Sequence, residues 1–134
     1  MDRLQSTIAP AVGRVLLSAI FIWSGIGKIT MPEFYIGYIA SHLPLPAVGL
    51  VLAIIVEVGG GLLLLAGLGT RWVALVLAAF CLFTAFVFHG FGDMANQINA
   101  MKNIAMAGGF LFVFAYGAGA WSLDALRFRR TVIA

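Results

Sequence analysis

Six polar side chains stand among apolar neighbours in this chain: Arg14, Lys28, Glu57, His89, Lys102 and Asn103. Glu57 is the sharpest signal. It is the only acidic residue between Leu43 and Thr70 and stands fifteenth in that 28-residue stretch. A membrane-crossing helix through it would place the carboxyl near mid-membrane, where an ionisable group needs a cation, a water-filled cavity or a task. The run Gly59, Gly60 and Gly61 strips bulk from the same region, so a neighbouring helix or a ligand can come close. Arg14 and Lys28 bracket 13 uncharged residues, about 20 Å of helix. Their spacing sets them within about 40° of one another on one face, together with Ser18, Phe21 and Gly25. That face is expected to turn inward, with Arg14 and Glu57 as a structural ion pair fixing the first helix against the second.

His89 closes an apolar block as Phe-His-Gly, and Lys102-Asn103 lies near the start of the next one. Antiparallel helices would bring these groups to the same end of a bundle as Lys28. The resulting polar pocket could hydrogen-bond the carbonyl oxygens of a quinone or another polar head group, with Trp23, Phe86, Phe88 and Phe110 as its apolar wall. Lys28, Glu57, His89, Lys102 and Asn103 are therefore the candidate ligand or proton site. Each also has a plainer reading. A histidine at a helix end often caps or packs, lysines near span ends snorkel to the interface, and an ion pair can serve packing alone. No catalytic residue is assignable. The single cysteine, Cys81, excludes an intramolecular disulfide, a paired-cysteine redox motif and a multi-cysteine metal or iron–sulfur centre within the chain, and no metal is expected. Cys81 itself reads as packing, and Trp72 and Trp121 as interfacial aromatics.

These side chains must be positioned by membrane helices. Of the 134 residues 63% are hydrophobic and 10% charged, with a mean hydropathy of +1.08, so the surface lacks the charge of a water-soluble domain. Apolar blocks at about 8–29, 46–68, 71–88 and 99–118 each approach the length that a bilayer requires. The fold expected is an all-α integral membrane four-helix bundle, with residues 1–134 forming one transmembrane domain. Pro10 and Pro46 suit first helical turns, and Gly67, Gly69 and Thr70 suit a tight turn between the second and third helices. The segments 31–45 and 90–98 read as connections. The first block is as long as a span and carries Arg14 and Lys28, so it reads as a retained helix rather than a cleaved signal.

Four spans put both termini on one side. That side collects Arg3, Arg14, Arg71, Arg127, Arg129 and Arg130, against Lys28 and Lys102 on the other, which predicts cytoplasmic termini. The net charge of +3 is too small and too dispersed for nucleic-acid binding. Arg127, Arg129 and Arg130 read as a topology signal and an attraction for anionic lipid head groups, with a docking site for another protein as the alternative.

Taken in order, these residues resemble the DoxX family of small four-helix bacterial membrane proteins. An Arg opens helix 1 (Arg14) and a Ser-Gly-x-x-Lys pattern ends it (Ser24, Gly25, Lys28). A mid-helix Glu precedes glycines (Glu57, Gly59 to Gly61), and a Gly-x-x-Thr-Arg turn follows (Gly67, Thr70, Arg71). Phe88-His89, Lys102-Asn103 and the tail from Gly117 to Asp124 complete the pattern, with Ala118 where proline is common. The resemblance covers 111 of 134 residues, Arg14 to Asp124. It implies a multi-pass bacterial inner-membrane protein associated with a quinone-linked redox or oxidative-stress system. Such a chain would carry no covalently bound cofactor, with a quinone as the ligand to test. If it belongs to an enzyme, it would be a quinone-linked oxidoreductase subunit whose electrons come from a partner. Two other readings stand beside it: a membrane scaffold or assembly factor for a partner membrane protein, and a small-solute or proton transporter. The partners expected are the lipid bilayer and either another membrane or redox protein or further copies of the chain.

Overall fold

The computed structural model describes residues 2–133, and they form helices joined by short turns. Four helices are long and apolar enough to cross a membrane: α1 (Leu4–Thr30), α3 (Pro46–Ala66), α4 (Thr70–His89) and α5 (Met94–Tyr116). Two shorter helices, α2 (Pro32–Ala40) and α6 (Leu123–Ile133), lie between α1 and α3 and after α5. The expected all-α membrane architecture is therefore present. Ala120 N–H donates to Ser6 O at 3.1 Å, so the two ends of the chain meet at one end of the bundle.

Local chemistry explains where the helices depart from the apolar blocks. α1 starts at Leu4 rather than near residue 8, because Asp2 Oδ1 accepts Gln5 N–H at 3.1 Å and nucleates an earlier turn. That turn, Leu4–Ile8, is π-type, which accommodates the missing amide of Pro10 just beyond it. α5 begins at Met94 rather than near residue 99. Asp93 caps it, with Oδ1 accepting Asn96 N–H at 2.9 Å and Oδ2 accepting Asn96 Nδ2 at 3.0 Å. Hydropathy marks only the apolar part of a helix, and a side-chain cap extends it into polar sequence. The segment 31–45, read as a connection, contains α2, opened by Pro32 in its first turn and Glu33 beside it.

The turn between α3 and α4 needs glycine. Gly67 and Gly69 have φ of +71° and +60°. A Cβ on Gly67 would also lie 2.5 Å from Ser122 Cβ and 2.6 Å from Arg14 Nη1. The core is narrow, consisting of Phe21, Leu64, Ala74, Leu77, Ala78, Cys81, Ala107 and Phe110. α4 against α5 is the most extensive contact, followed by α1 against α3. Outside that core, large apolar side chains such as Leu16, Trp23, Ile55, Phe86 and Phe112 are exposed, as suits a protein whose solvent is lipid.

Candidate functional site

Glu57 sits twelfth of the 21 residues of α3, within a π-type turn, Ile55–Gly59. A second π-type turn, Ala85–His89, ends α4 at His89. The sequence carries no period that announces either widening. Such turns often fall at functional positions, because they re-aim one side chain without breaking the helix.

The Glu57 carboxylate, 5% exposed, is met by two side chains from α1. Lys28 Nζ lies 2.9 Å from Oε2 and 3.2 Å from Oε1, and Ser24 Oγ donates to Oε1 at 3.0 Å. Lys28 also donates to Ser24 Oγ at 2.9 Å and lies 4.8 Å from the centre of the Tyr35 ring of α2. Lysine, serine and carboxylate thus close a triangle between α1 and α3. Oε2 is buried and takes part only through the charge of Lys28, with no well-aimed hydrogen bond of its own among the described residues. Close helix approach makes the triangle possible: a Cβ on Gly25 would lie 2.4 Å from Val58 Cγ2, and one on Gly61 2.9 Å from Ile22 Cγ1.

The expected Arg14–Glu57 pair does not form. Arg14, 4% exposed, donates through Nη1 to Leu64 O at 3.1 Å and Leu65 O at 2.8 Å, and through Nη2 to Trp121 O. Lys28 stands 14 positions after Arg14, about 21 Å along the helix, so the two cations on one face address different levels of α3. Lys28 reaches its middle. Arg14 reaches two carbonyls of its last turn, that of Leu64, which also accepts Gly67 N–H at 3.1 Å, and that of Leu65. Asp124 completes this second assembly: its Oδ1 accepts Gly69 N–H at 2.8 Å and its Oδ2 accepts Thr70 N–H at 2.9 Å, capping α4 from a distant part of the chain. Burial alone would raise the Asp124 carboxyl, but these amide bonds and nearby Arg127 outweigh it and hold the carboxyl below its ordinary value.

At the opposite end, a cavity of about 990 Å³ is lined by Lys28, Glu57, His89, Lys102 and Asn103 together. All five candidate site residues therefore face one space between α1, α2, α3, α4 and α5. Lys102 is exposed and donates to Asn99 Oδ1 at 3.2 Å, and Asn103 is buried. Of the expected apolar wall, Trp23 and Phe88 line the cavity, joined by Phe80, Phe83 and Phe34. Phe86 instead points outward, 62% exposed, and Phe110 is fully buried edge-on to Phe21, with ring centres 5.4 Å apart. Two positions on α4, about 200° of turn, separate the outward Phe86 from Phe88 on the cavity face.

α2, within the segment 31–45 expected to be a connection, forms one side of the cavity. Tyr38 Oη donates to Phe88 O at 3.1 Å and its ring stacks on Phe88 at 5.7 Å. Burial raises the Tyr38 hydroxyl above its ordinary value, which keeps it a donor. Ser24 was visible as the residue four before Lys28 on the same face; for Tyr35 and Tyr38 the sequence offers no comparable signal. Asn96 and Gln97 support the loop rather than the cavity, with Gln97 Nε2 donating to Phe91 O at 3.1 Å.

Comparison with known proteins gives a consistent picture. The DoxX family model matches residues 9–90. Inner membrane protein YqjF of Escherichia coli (strain K12) is 42% identical over 132 residues, covering 94% of this chain and 96% of that protein. Inner membrane protein YphA of the same organism is 33% identical over 120 residues, covering 84% and 86%. No solved structure matches the chain.

Proposed function

The chain belongs to the DoxX family of multi-pass inner-membrane proteins, and from that premise we propose that it is a membrane subunit of a quinone-linked redox or oxidative-stress system. Its own part is to hold the quinone head group in the cavity between α1, α2 and the ends of α4 and α5, with both chain termini in the cytoplasm. The observation that carries this reading is the meeting of Lys28, Glu57, His89, Lys102 and Asn103 in one space whose remaining walls are largely aromatic and aliphatic. A flat, apolar ring with two carbonyl oxygens asks for that combination: donors at the polar rim and aromatic faces elsewhere. The residues fit the group. Lys102 and Asn103 offer amine and amide donors, His89 offers a ring nitrogen, and the buried Glu57 Oε2 is an acceptor held by charge alone. A bound quinone would supply the capacity to take up electrons and protons. The chain's residues would orient the head group, exclude lipid tails from it and hold a proton acceptor nearby.

A specific observation favours a second reading, that of a scaffold. The Lys28–Ser24–Glu57 triangle is closed within the protein, and such a pair can serve solely to fix α1 against α3. One experiment separates the two. Protein reconstituted in nanodiscs is exposed to a photoreactive quinone, and the labelled peptides are mapped. Saturable labelling around 83–89 or 102–106, competed by unmodified quinone and lost in His89→Ala or Lys102→Met, supports the redox reading. Non-saturable labelling overturns it. Loss of a co-purifying membrane protein in a folded Glu57→Gln variant would then favour the scaffold.

A further inference from the structure

The end of the bundle that carries both termini holds a second cavity, of about 670 Å³, lined by Arg3 and Thr7 of the α1 entry and by Trp121, Leu126 and Arg129 at and within α6. It lies at the opposite end of α1 from Lys28 and shares no residue with the quinone proposal. α6 is a helix in which no residue is buried, although it carries Leu126, Phe128, Val132 and Ile133. At about 100° per residue, Arg127, Arg130, Thr131 and Asp124 fall on one side, with Leu123, the first residue of the helix, among them. Phe128, Val132, Ala125, Ile133 and Leu126 fall on the other. This is the pattern of a helix lying in a membrane interface.

Arg129 breaks the pattern. It falls in the middle of the apolar side, between Ala125 and Ile133 in angle, and it is this arginine that lines the cavity together with Arg3. Neither Arg3 nor Arg129 has a carboxylate within ion-pairing distance among the described residues, where the one ion pair is Lys28–Glu57. The acids nearby are engaged: Asp124 caps α4 and Asp2 accepts Gln5 N–H. Two arginines thus line a common space that also has apolar sides and the exposed ring of Trp121. A group with a phosphate at its centre and hydrocarbon attached matches that space, because guanidinium binds phosphate oxygens bidentately. Trp121 and Leu126 would border the glycerol and the first acyl carbons.

We propose that this cavity is a binding site for the head group of an anionic phospholipid, clasped between Arg3 and Arg129. α6 then lies on the bilayer surface through its apolar side, and the bound lipid joins α6 to the entry of α1. The site is a local, geometric one, distinct from the general attraction of the basic tail for anionic membranes.

The test uses the full chain released from nanodiscs made of equal parts phosphatidylglycerol and phosphatidylcholine, with retained lipid read by native mass spectrometry. Wild type should retain phosphatidylglycerol in preference to phosphatidylcholine by about tenfold, the scale of a charge-assisted hydrogen-bond pair. Arg3→Gln with Arg129→Gln should bring that preference near parity, whereas Arg127→Gln with Arg130→Gln, the same loss of charge on the other side of α6, should leave it within about twofold. Both side chains of the first pair are exposed, and protection of Cys81 from maleimide verifies folding. Arg129→Glu gives an independent reading and should reverse the preference. Parity in wild type, equal loss in the two double variants, or displacement of the lipid by millimolar inorganic phosphate would overturn the proposal, the last by marking a free-anion site. A stably bound protein in place of lipid would overturn it as well.

Discussion

Replacing Arg14 by methionine should loosen the end of the bundle where α1, the C-terminus of α3 and the turn before α6 meet. The carbonyls of Leu64, Leu65 and Trp121 lose the guanidinium as a donor. A hydrogen bond from a charged donor contributes about 1.5–3 kcal/mol net, and methionine restores most of the lost apolar volume, so cavity formation is a small part of the effect. The bonds to Leu65 and Trp121 are only partly buried, so water can replace the guanidinium there; the bond to Leu64 is buried, and that carbonyl keeps only the N–H of Gly67, at 3.1 Å. The net loss expected is about 3 kcal/mol, equivalent to about 100-fold in an opening equilibrium. Arg14→Lys keeps the charge but offers one nitrogen in place of a planar fork, and should lose about 1–2 kcal/mol. Cys81 provides the assay: it is the only cysteine and is 1% exposed within the core. Its rate of maleimide modification in bicelles therefore reports opening of the α4–α5 core. Arg14→Met should accelerate that rate about 100-fold and Arg14→Lys about tenfold. A rate for Arg14→Met within about twofold of wild type would refute the assignment of Arg14 as the clasp of α3.

The Lys28–Glu57 pair should show coupling in a double-mutant cycle with Lys28→Gln and Glu57→Gln, of about 1.5–3 kcal/mol in detergent-induced unfolding; additive losses would mean that the two charges stabilise independently. Gly61→Ala should destabilise by about 1–3 kcal/mol, because its Cβ meets Ile22 Cγ1 at 2.9 Å, whereas Gly13→Ala, with nothing within 4 Å, should cost nothing and gain up to about 1 kcal/mol. Thermal unfolding of the two alanine variants side by side checks this. Asp124→Ala should cost about 0.5–2 kcal/mol by uncapping α4. Since the folded carboxyl is held below its ordinary value of 3.8, its contribution is present above that pH and is lost as pH falls through the lower, folded value. Below pH 4 the wild type should therefore lose stability more steeply than Asp124→Asn, as read by Cys81 protection on acid titration; parallel curves would contradict the capping role.

The sequence by itself determined the four spans, because mean hydropathy is a property of composition that no tertiary contact can reverse. It also determined the short list of ionisable residues, since a charge in a long apolar run needs a reason wherever the chain places it. Lys28, Glu57, His89, Lys102 and Asn103 reached one cavity as antiparallel packing required. Tertiary structure decided what they touch. Arg14 and Lys28 share a helical face, so periodicity offers Glu57 both cations equally. The choice is made by the level at which α1 crosses α3, and that level is set by Gly25 against Val58 and Gly61 against Ile22. The same distinction holds for α2 and α6. Neither is long enough for a hydropathy window to find, and both are placed by contacts distant in sequence: Tyr38 with Phe88, and Asp124 with Gly69 and Thr70. Composition is additive along a chain and can be read from it. Register between helices depends on a few close approaches at single positions, and only the packed molecule specifies them.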